Sequence, residues 1–220
     1  MSIELKKRII TSILLLILLV LMSFYTYILI VSLIIIGIIA WIESYALISK
    51  IYKKSNYNNI ALRFILKATS LLYLSYLVFI IILSKLDLPE FYILIIYAIL
   101  ISVMTDIGGL TVGKIFKGRK LTKISPNKTI SGSFGSLFFS LILLTIYILI
   151  SSSINFFFLL LLTLAISVIS QIGDLLISYI KRKAKVKDTS NILPGHGGLL
   201  DRLDGILFAL PIGVLIIIYI

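Results

Sequence analysis

No cysteine occurs in the chain, and its 220 residues hold a single histidine and only nine aspartates and glutamates against 21 lysines and arginines. The missing cysteines exclude disulfides and thiolate metal sites. With one histidine on offer, hard oxygen atoms are the ligands left for a metal. Polar surface is scarce too: 60% of the residues are hydrophobic and the mean hydropathy is +1.17. A soluble core cannot absorb that much apolar surface, which places the chain among membrane proteins. The start, MSIELKKRIITSILLLILLVLMSFYTY, has the basic head and apolar run of a secretory signal without a small-x-small cleavage site, and it reads as a retained span.

Crossing the hydrocarbon layer takes about 20 apolar residues, and seven stretches qualify, roughly 9–24, 25–42, 64–84, 91–111, 134–152, 155–178 and 205–220. Residues 9–42 read either as two tight spans with a turn near Ser23 or as one long tilted helix. Charge decides between them. Basic residues cluster at Lys6, Lys7 and Arg8, at Lys50, Lys53, Lys54, Arg63 and Lys67, between 112 and 133, and between 179 and 204, with Lys85 left over. If 9–42 crosses twice, all four clusters share one face, and the cytoplasmic bias of Lys and Arg makes that face the inside. The expectation is an all-α polytopic protein of seven spans, amino terminus cytoplasmic and carboxyl terminus outside, with outer loops near Ser84–Glu90 and Ser151–Asn155. It divides into an amino-terminal region, 1–88, with three spans, and a region, 89–220, that carries the chemistry. The net charge of +12 follows from topology and from anionic headgroups, and nothing calls for nucleic acid.

The acids are more telling than the bases. An ionisable group in a span costs at least ~2.5–3.5 kcal/mol at the bilayer centre, so one that remains there is a functional candidate. Asp174 lies in LAISVISQIGDLLISYIKRK, where Ser167, Ser170, Gln171, Asp174, Ser178 and Lys181 form one polar stripe at helical spacing. That stripe must face protein or water. Asp106 repeats the arrangement in ILISVMTDIGGLTVGK, with Ser102, Thr105, Gly109 and Gly113 on its face. Asp204 opens the last span. The small residues allow close helix packing, and glycines can bring backbone N–H groups near a phosphate. All three aspartates fall at the cytoplasmic ends of their helices and could meet in one polar cavity open to that side. They suit Mg²⁺ or a similar divalent ion, which takes few carboxylates and completes its octahedron with water and phosphate. Cations at the same level would neutralise a polyphosphate, which implies a phosphate-bearing substrate.

From Ser178 the chain runs SYIKRKAKVKDTSNILPGHGGLLDRLD. This resembles the signature of the phosphatidate cytidylyltransferases (CDP-diacylglycerol synthases): Ser, two residues, Lys-Arg, four residues, Lys-Asp, then His-Gly-Gly and Asp-Arg-x-Asp. Ser178, Lys181, Arg182, Lys187, Asp188, Ser190, Pro194, His196, Gly197, Gly198, Asp201, Arg202 and Asp204 fall in register. QIGDLLISYIKR is similar to the family's Gly-Asp helix, and TDIGGLTVGKIFKGRKLTKISPNKTISGS to its Ser-Pro-x-Lys-Thr segment. There the family continues Trp-Glu-Gly where this chain has Ile130, Ser131 and Gly132, so no role is assigned to Ser131. Trp41 and Glu43, in AWIESYAL, are faintly similar to an aromatic and acidic motif of the family, with an interfacial Trp41 as the plainer explanation. The resemblance covers about 92–220.

The resemblance implies CTP and phosphatidate as substrates, CDP-diacylglycerol and pyrophosphate as products, and the plasma membrane of a bacterium, with the active site facing the cytoplasm. The attacking phosphate oxygen is already ionised, so the work is bringing anions together and stabilising the leaving group. Asp174 and Asp204 would hold one or two divalent ions, with Asp106 as a further metal-site acid and Asp201 as a helper. Lys181, Arg182, Lys187 and Arg202 would bind phosphates, with Lys128 contributing from the preceding loop and Ser178 at the same site. Gly195, Gly197 and Gly198 would make a turn that presents backbone donors, and His196 would contact a phosphate or orient a neighbour. Membrane lipids are partners, and a homodimer is compatible with this reading.

Three rivals stay open. A CTP-dependent polyprenol or phytol kinase has similar Gly-Asp and Lys-Thr segments but is not expected to carry the His-Gly-Gly and Asp-Arg-x-Asp run. A transporter should show internal repeats or paired broken helices, and no convincing repeat is found. An accessory protein without chemistry is the third.

Overall fold

The computed structural model describes residues 3–52, 57–122, 125, 128–150, 155–195 and 197–219, with the backbone alone for 3–9, 57–59 and 219. Among the described residues there are seven α-helices and no strand: α1 (Ile3–Phe24), α2 (Thr26–Ile51), α3 (Tyr57–Asp87), α4 (Pro89–Phe116), α5 (Ile130–Ile150), α6 (Phe156–Lys183) and α7 (Leu200–Tyr219). Of these, α2 to α6 are long and apolar enough to cross a membrane, and α1 holds a shorter apolar stretch at Ile10–Phe24. Large apolar side chains point outward, Leu149, Phe64, Leu72 and Phe157 among them. That arrangement inverts a water-soluble surface, and the chain is an integral membrane protein.

The breaks between helices have local causes. One extended residue, Tyr25 at φ −114° and ψ 108°, separates α1 from α2, so the long apolar run at 9–42 is two helices. Leu88 precedes a proline and is disfavoured in helical conformation, and Pro89 is pre-set for the first turn of α4, where its missing N–H costs nothing. Lys117 and Gly118, at φ 51° and 109°, end that helix. Thr129 caps α5 by accepting the Gly132 amide at 3.0 Å, and Asn155 caps α6 through the Phe157 amide at 2.9 Å. At its far end α6 closes when Lys185 turns left-handed (φ 57°) and the Val186 amide reaches back to the Lys181 carbonyl at 3.0 Å.

The chain packs as two units, Met1–Leu88 with Ile180–Arg202, and Pro89–Tyr179 with Leu203–Ile220. In the first, Leu29, Ala40, Leu47, Leu74 and Leu77 are buried, and Gly37 lets α2 approach α3, since a Cβ there would meet Val78 at 3.0 Å. Trp41 donates to the Lys67 carbonyl at 3.4 Å and packs edge-on against Tyr45, whose ring lies under the Lys67 ammonium.

In the second unit the core gathers Tyr97, Ala98, Ile101, Leu144, Leu159, Leu162, Ile166 and Ala209. The α4–α5 contact is a seam of glycines. A Cβ on Gly108 would strike the Gly135 carbonyl and Phe139, and one on Gly132 would stand 2.7 Å from the Gly109 carbonyl. Across from it, α4 meets α6 through buried hydroxyl pairs: Ser102 with Ser170 at 2.6 Å, Thr105 donating to Ser167 at 2.9 Å, and Tyr97 with Thr163 at 2.7 Å. Ser167 and Ser170 are fully buried, so this end of the polar stripe of α6 faces protein.

Candidate functional site

The second unit collects the carboxylates. Asp174 and Asp204 lie within hydrogen-bond reach of each other, and Asp106 is close enough to interact with both charges. Sequence places them 30 to 98 positions apart; the helix contacts join them. The Ser102–Ser170 pair registers α4 on α6, and Gly205 leaves room for α7, because a Cβ there would collide with the Ser170 hydroxyl. Asp204 is buried and accepts the Gly205 amide at 3.0 Å. Lys128 comes down from the loop before α5 and ion-pairs with Asp174. The Ser178 hydroxyl stands 3.5 Å from the other Asp174 oxygen, one turn further along α6. Ser133 donates to Gln171, fixing the start of α5 against the same face of α6.

Two carboxylates this close repel unless a cation or a proton lies between them. The donor set therefore suits a hard divalent ion that takes one or two protein oxygens and fills its other positions with water and phosphate. Among the described residues no group of three Asp, Glu or His is spaced as a complete ligand set.

The first unit holds the other constellation, built on the segment between α6 and α7. Lys181 donates to Asp201 Oδ1 at 2.7 Å, with both side chains largely shielded from solvent. The second oxygen of Asp201 accepts the Thr189 amide at 2.9 Å and the Gly198 amide at 3.0 Å. Burial alone would raise the Asp201 carboxyl. The hydrogen bond from Lys181, the amides of Thr189 and Gly198, and the Lys181 charge outweigh it and hold the group below the usual carboxylate range.

Glu43, from the middle of α2, meets the same segment and is 1% exposed. Its Oε1 accepts the Ser190 hydroxyl at 2.5 Å and the Leu199 amide at 2.9 Å, and its Oε2 accepts the Thr189 hydroxyl at 2.7 Å and the Leu200 amide at 2.8 Å. A carboxylate thus sits at the amino end of α7, where the helix dipole favours negative charge. The glycines of the signature explain themselves here. Gly197 has φ 83°, and a Cβ on Gly198 would collide with the Thr189 hydroxyl and both oxygens of Glu43.

Of the residues singled out by sequence, Asp106, Asp174, Asp204, Lys128 and Ser178 are brought together in one unit, and Lys181, Asp201, Gly197 and Gly198 in the other. Arg182, Lys187 and Arg202 are exposed, and His196 lies outside the described residues. Ser131, where the family has an acid, donates to the Lys117 carbonyl and pairs with the Thr129 hydroxyl at 3.0 Å. The residue that sequence reasoning passed over is Glu43. Its signals were an acid within an apolar helix and a faint similarity of Trp41 and Glu43 to a family motif, for which an interfacial tryptophan was the plainer explanation.

Comparison with known proteins matches residues 5–220 to the profile of the Cytidylyltransferase family. The chain is 46% identical over 119 residues to the phosphatidate cytidylyltransferase of Bacillus subtilis (strain 168), covering 53% of this chain and 44% of that protein. It is 46% identical over 120 residues to that of Staphylococcus aureus (strain COL), and 42% identical over 120 residues to that of Staphylococcus haemolyticus (strain JCSC1435), covering 54% of this chain and 46% of each relative. The matched stretch thus spans just under half the length of these curated relatives.

Proposed function

The chain belongs to the cytidylyltransferase family, and from that premise we propose that it transfers the cytidylyl group of CTP to phosphatidate, giving CDP-diacylglycerol and pyrophosphate. The relatives at 42–46% identity carry that activity in their names. The observation that carries the reading is the convergence of Asp106, Asp174 and Asp204 beside Lys128 in a membrane-embedded unit. An ion pathway has no need of a lysine fixed on an acid cluster by a capped loop, whereas a polyphosphate needs both signs of charge close together.

No strong general base is required, because the phosphatidate phosphate enters ionised. What the chain must do is hold two anions and exclude other acceptors. Asp174 and Asp204 are the residues that would hold a divalent ion, with Asp106 adjacent. Such an ion, when bound, supplies the electrostatic stabilisation of the leaving pyrophosphate. Lys128 screens the carboxylates and offers its remaining N–H donors to phosphate oxygens. Lys181, fixed by Asp201, presents a point charge, and the exposed Arg182, Lys187 and Arg202 attract nucleotide from the aqueous side. Gly198 donates its amide to Asp201, so its part in substrate binding is indirect.

The proposal includes seven crossings, with the amino terminus and all four basic clusters on the cytoplasmic face of a bacterial plasma membrane, and a polar cavity of the second unit open to that side. Five helices of spanning length support several crossings, and the shared face of the four basic clusters is what argues for seven. The test of function is incubation of the purified protein with CTP, phosphatidate micelles and Mg²⁺. CDP-diacylglycerol and pyrophosphate in equal amounts are expected, and their absence with folded protein would overturn the reading.

A further inference from the structure

Glu43 has no part in the roles above, yet its bonding is too specific for a filler. Burying a carboxylate costs several kcal/mol unless donors replace its water. Its four partners are two hydroxyls and two backbone amides, all supplied by residues 146 to 157 positions further along the chain. A helix start can be capped more cheaply by a local Ser, Thr or Asp. Here a distant carboxylate performs the task, and Gly198 must lack a side chain to admit it.

The bonds also lead somewhere. The Thr189 hydroxyl stands 2.7 Å from Glu43 Oε2 and 3.1 Å from Asp201 Oδ2, while its amide donates to that same Asp201 oxygen. The other oxygen of Asp201 holds the Lys181 ammonium. Four residues thus form one continuous path from the middle of α2 to the last turn of α6: Glu43, Thr189, Asp201, Lys181. A lysine ammonium is a point charge on a flexible stem, so its location is set by whatever holds it.

We propose that Glu43 is a positioning residue of the transfer reaction, the buried carboxylate that acts through Thr189 and the first amides of α7 to set where Asp201 holds Lys181. The proposal rests on the cytidylyl-transfer reading and on Lys181 as a phosphate-binding group. Glu43 itself touches no substrate. It confines the segment that does, and a drift of the ammonium weakens phosphate binding.

The test compares the wild-type chain, Glu43→Gln, Thr189→Val and the double variant, all purified in detergent and assayed with CTP and phosphatidate. Glutamine keeps the shape but presents an N–H group where two donors point. For Glu43→Gln, the KM for CTP should rise about tenfold with kcat within about threefold of wild type. Thr189→Val replaces the hydroxyl with a methyl group of similar size and should raise the same KM. The double variant should be no worse than Glu43→Gln, because both act along one path. A structural role alone would lower the melting temperature and the active fraction without moving KM, and that result overturns the proposal. Should Glu43→Gln not fold, Thr189→Val decides: an unchanged KM overturns the proposal, a raised one upholds it. A wild-type chain that transfers no cytidylyl group overturns the functional reading and this inference with it, a failure recognised in the wild type rather than in the variants.

Discussion

Lys181 Nζ and Asp201 Oδ1 stand 2.7 Å apart at the two ends of the segment that joins α6 to α7. The partners are twenty positions apart and close a loop that contains most of the signature run, and each is shielded enough that the loss of the other would strand a charge.

Breaking this pair should therefore cost stability. Lys181→Met leaves the Asp201 carboxylate with neutral donors only, and a loss of ~3 kcal/mol is expected, measured by thermal or denaturant unfolding in detergent. Lys181→Met with Asp201→Asn should lose less than the two single variants summed, since no unpaired charge remains.

The same carboxyl makes the segment sensitive to acid in one direction. Its folded-state pKa lies below the ordinary value, so its contribution to stability is complete above about pH 3.9, the unfolded value, and is lost as pH falls through the lower folded value. Amide hydrogen exchange at Thr189 and Gly198 should stay slow down to about pH 4 and quicken below it. Quickening that begins near neutral pH would contradict the assignment.

Much of this was legible in the chain, and the reasons differ by element. The stripe from Ser167 to Ser178 stood out because polar residues at helical spacing in an apolar run can only face protein, and Ser167 and Ser170 do so. The apolar stretches are shorter than the helices, which run past them into polar ends such as Lys181–Lys183, because hydropathy reports the hydrocarbon layer and not the hydrogen-bond ladder. The basic clusters indicate that 9–42 breaks, and the break falls at Tyr25. Glu43 was not legible, because its meaning lies in partners about 150 positions away. Gly198 was legible as a turn glycine, but the Thr189 hydroxyl and Glu43 oxygens that a Cβ there would strike were not.

Asp174→Asn and Asp204→Asn should each lower turnover by about a hundredfold or more while the protein still folds, and a chelator should abolish the activity of the wild type until Mg²⁺ is restored. Near-normal turnover in either variant would remove the metal-holding role. Arg202→Ala should instead raise the CTP or phosphatidate concentration needed for half-maximal rate.

The glycine seam predicts a packing defect with no chemical component. Gly135→Ala would drive a methyl group into Val112 and the Gly108 carbonyl, and a loss of about 1–3 kcal/mol is expected. Unfolding in detergent would measure it, and the KM for CTP of the folded fraction should be unchanged.

Topology can be read directly, because the natural chain has no cysteine. Single cysteines at Lys120 and Lys187 should react with a membrane-impermeant maleimide only from the cytoplasmic side, and one at Asp87 only from outside. Labelling of Lys120→Cys and Asp87→Cys from the same side would refute the proposed orientation.

Parallel turnover assays with CTP labelled at the α- or the γ-phosphorus, using purified protein, phosphatidate micelles and Mg²⁺, bear most directly on cytidylyl transfer. Label entering the lipid from the α position alone is the expected result. Label entering from the γ position would instead make the protein a lipid kinase and contradict the transfer reaction.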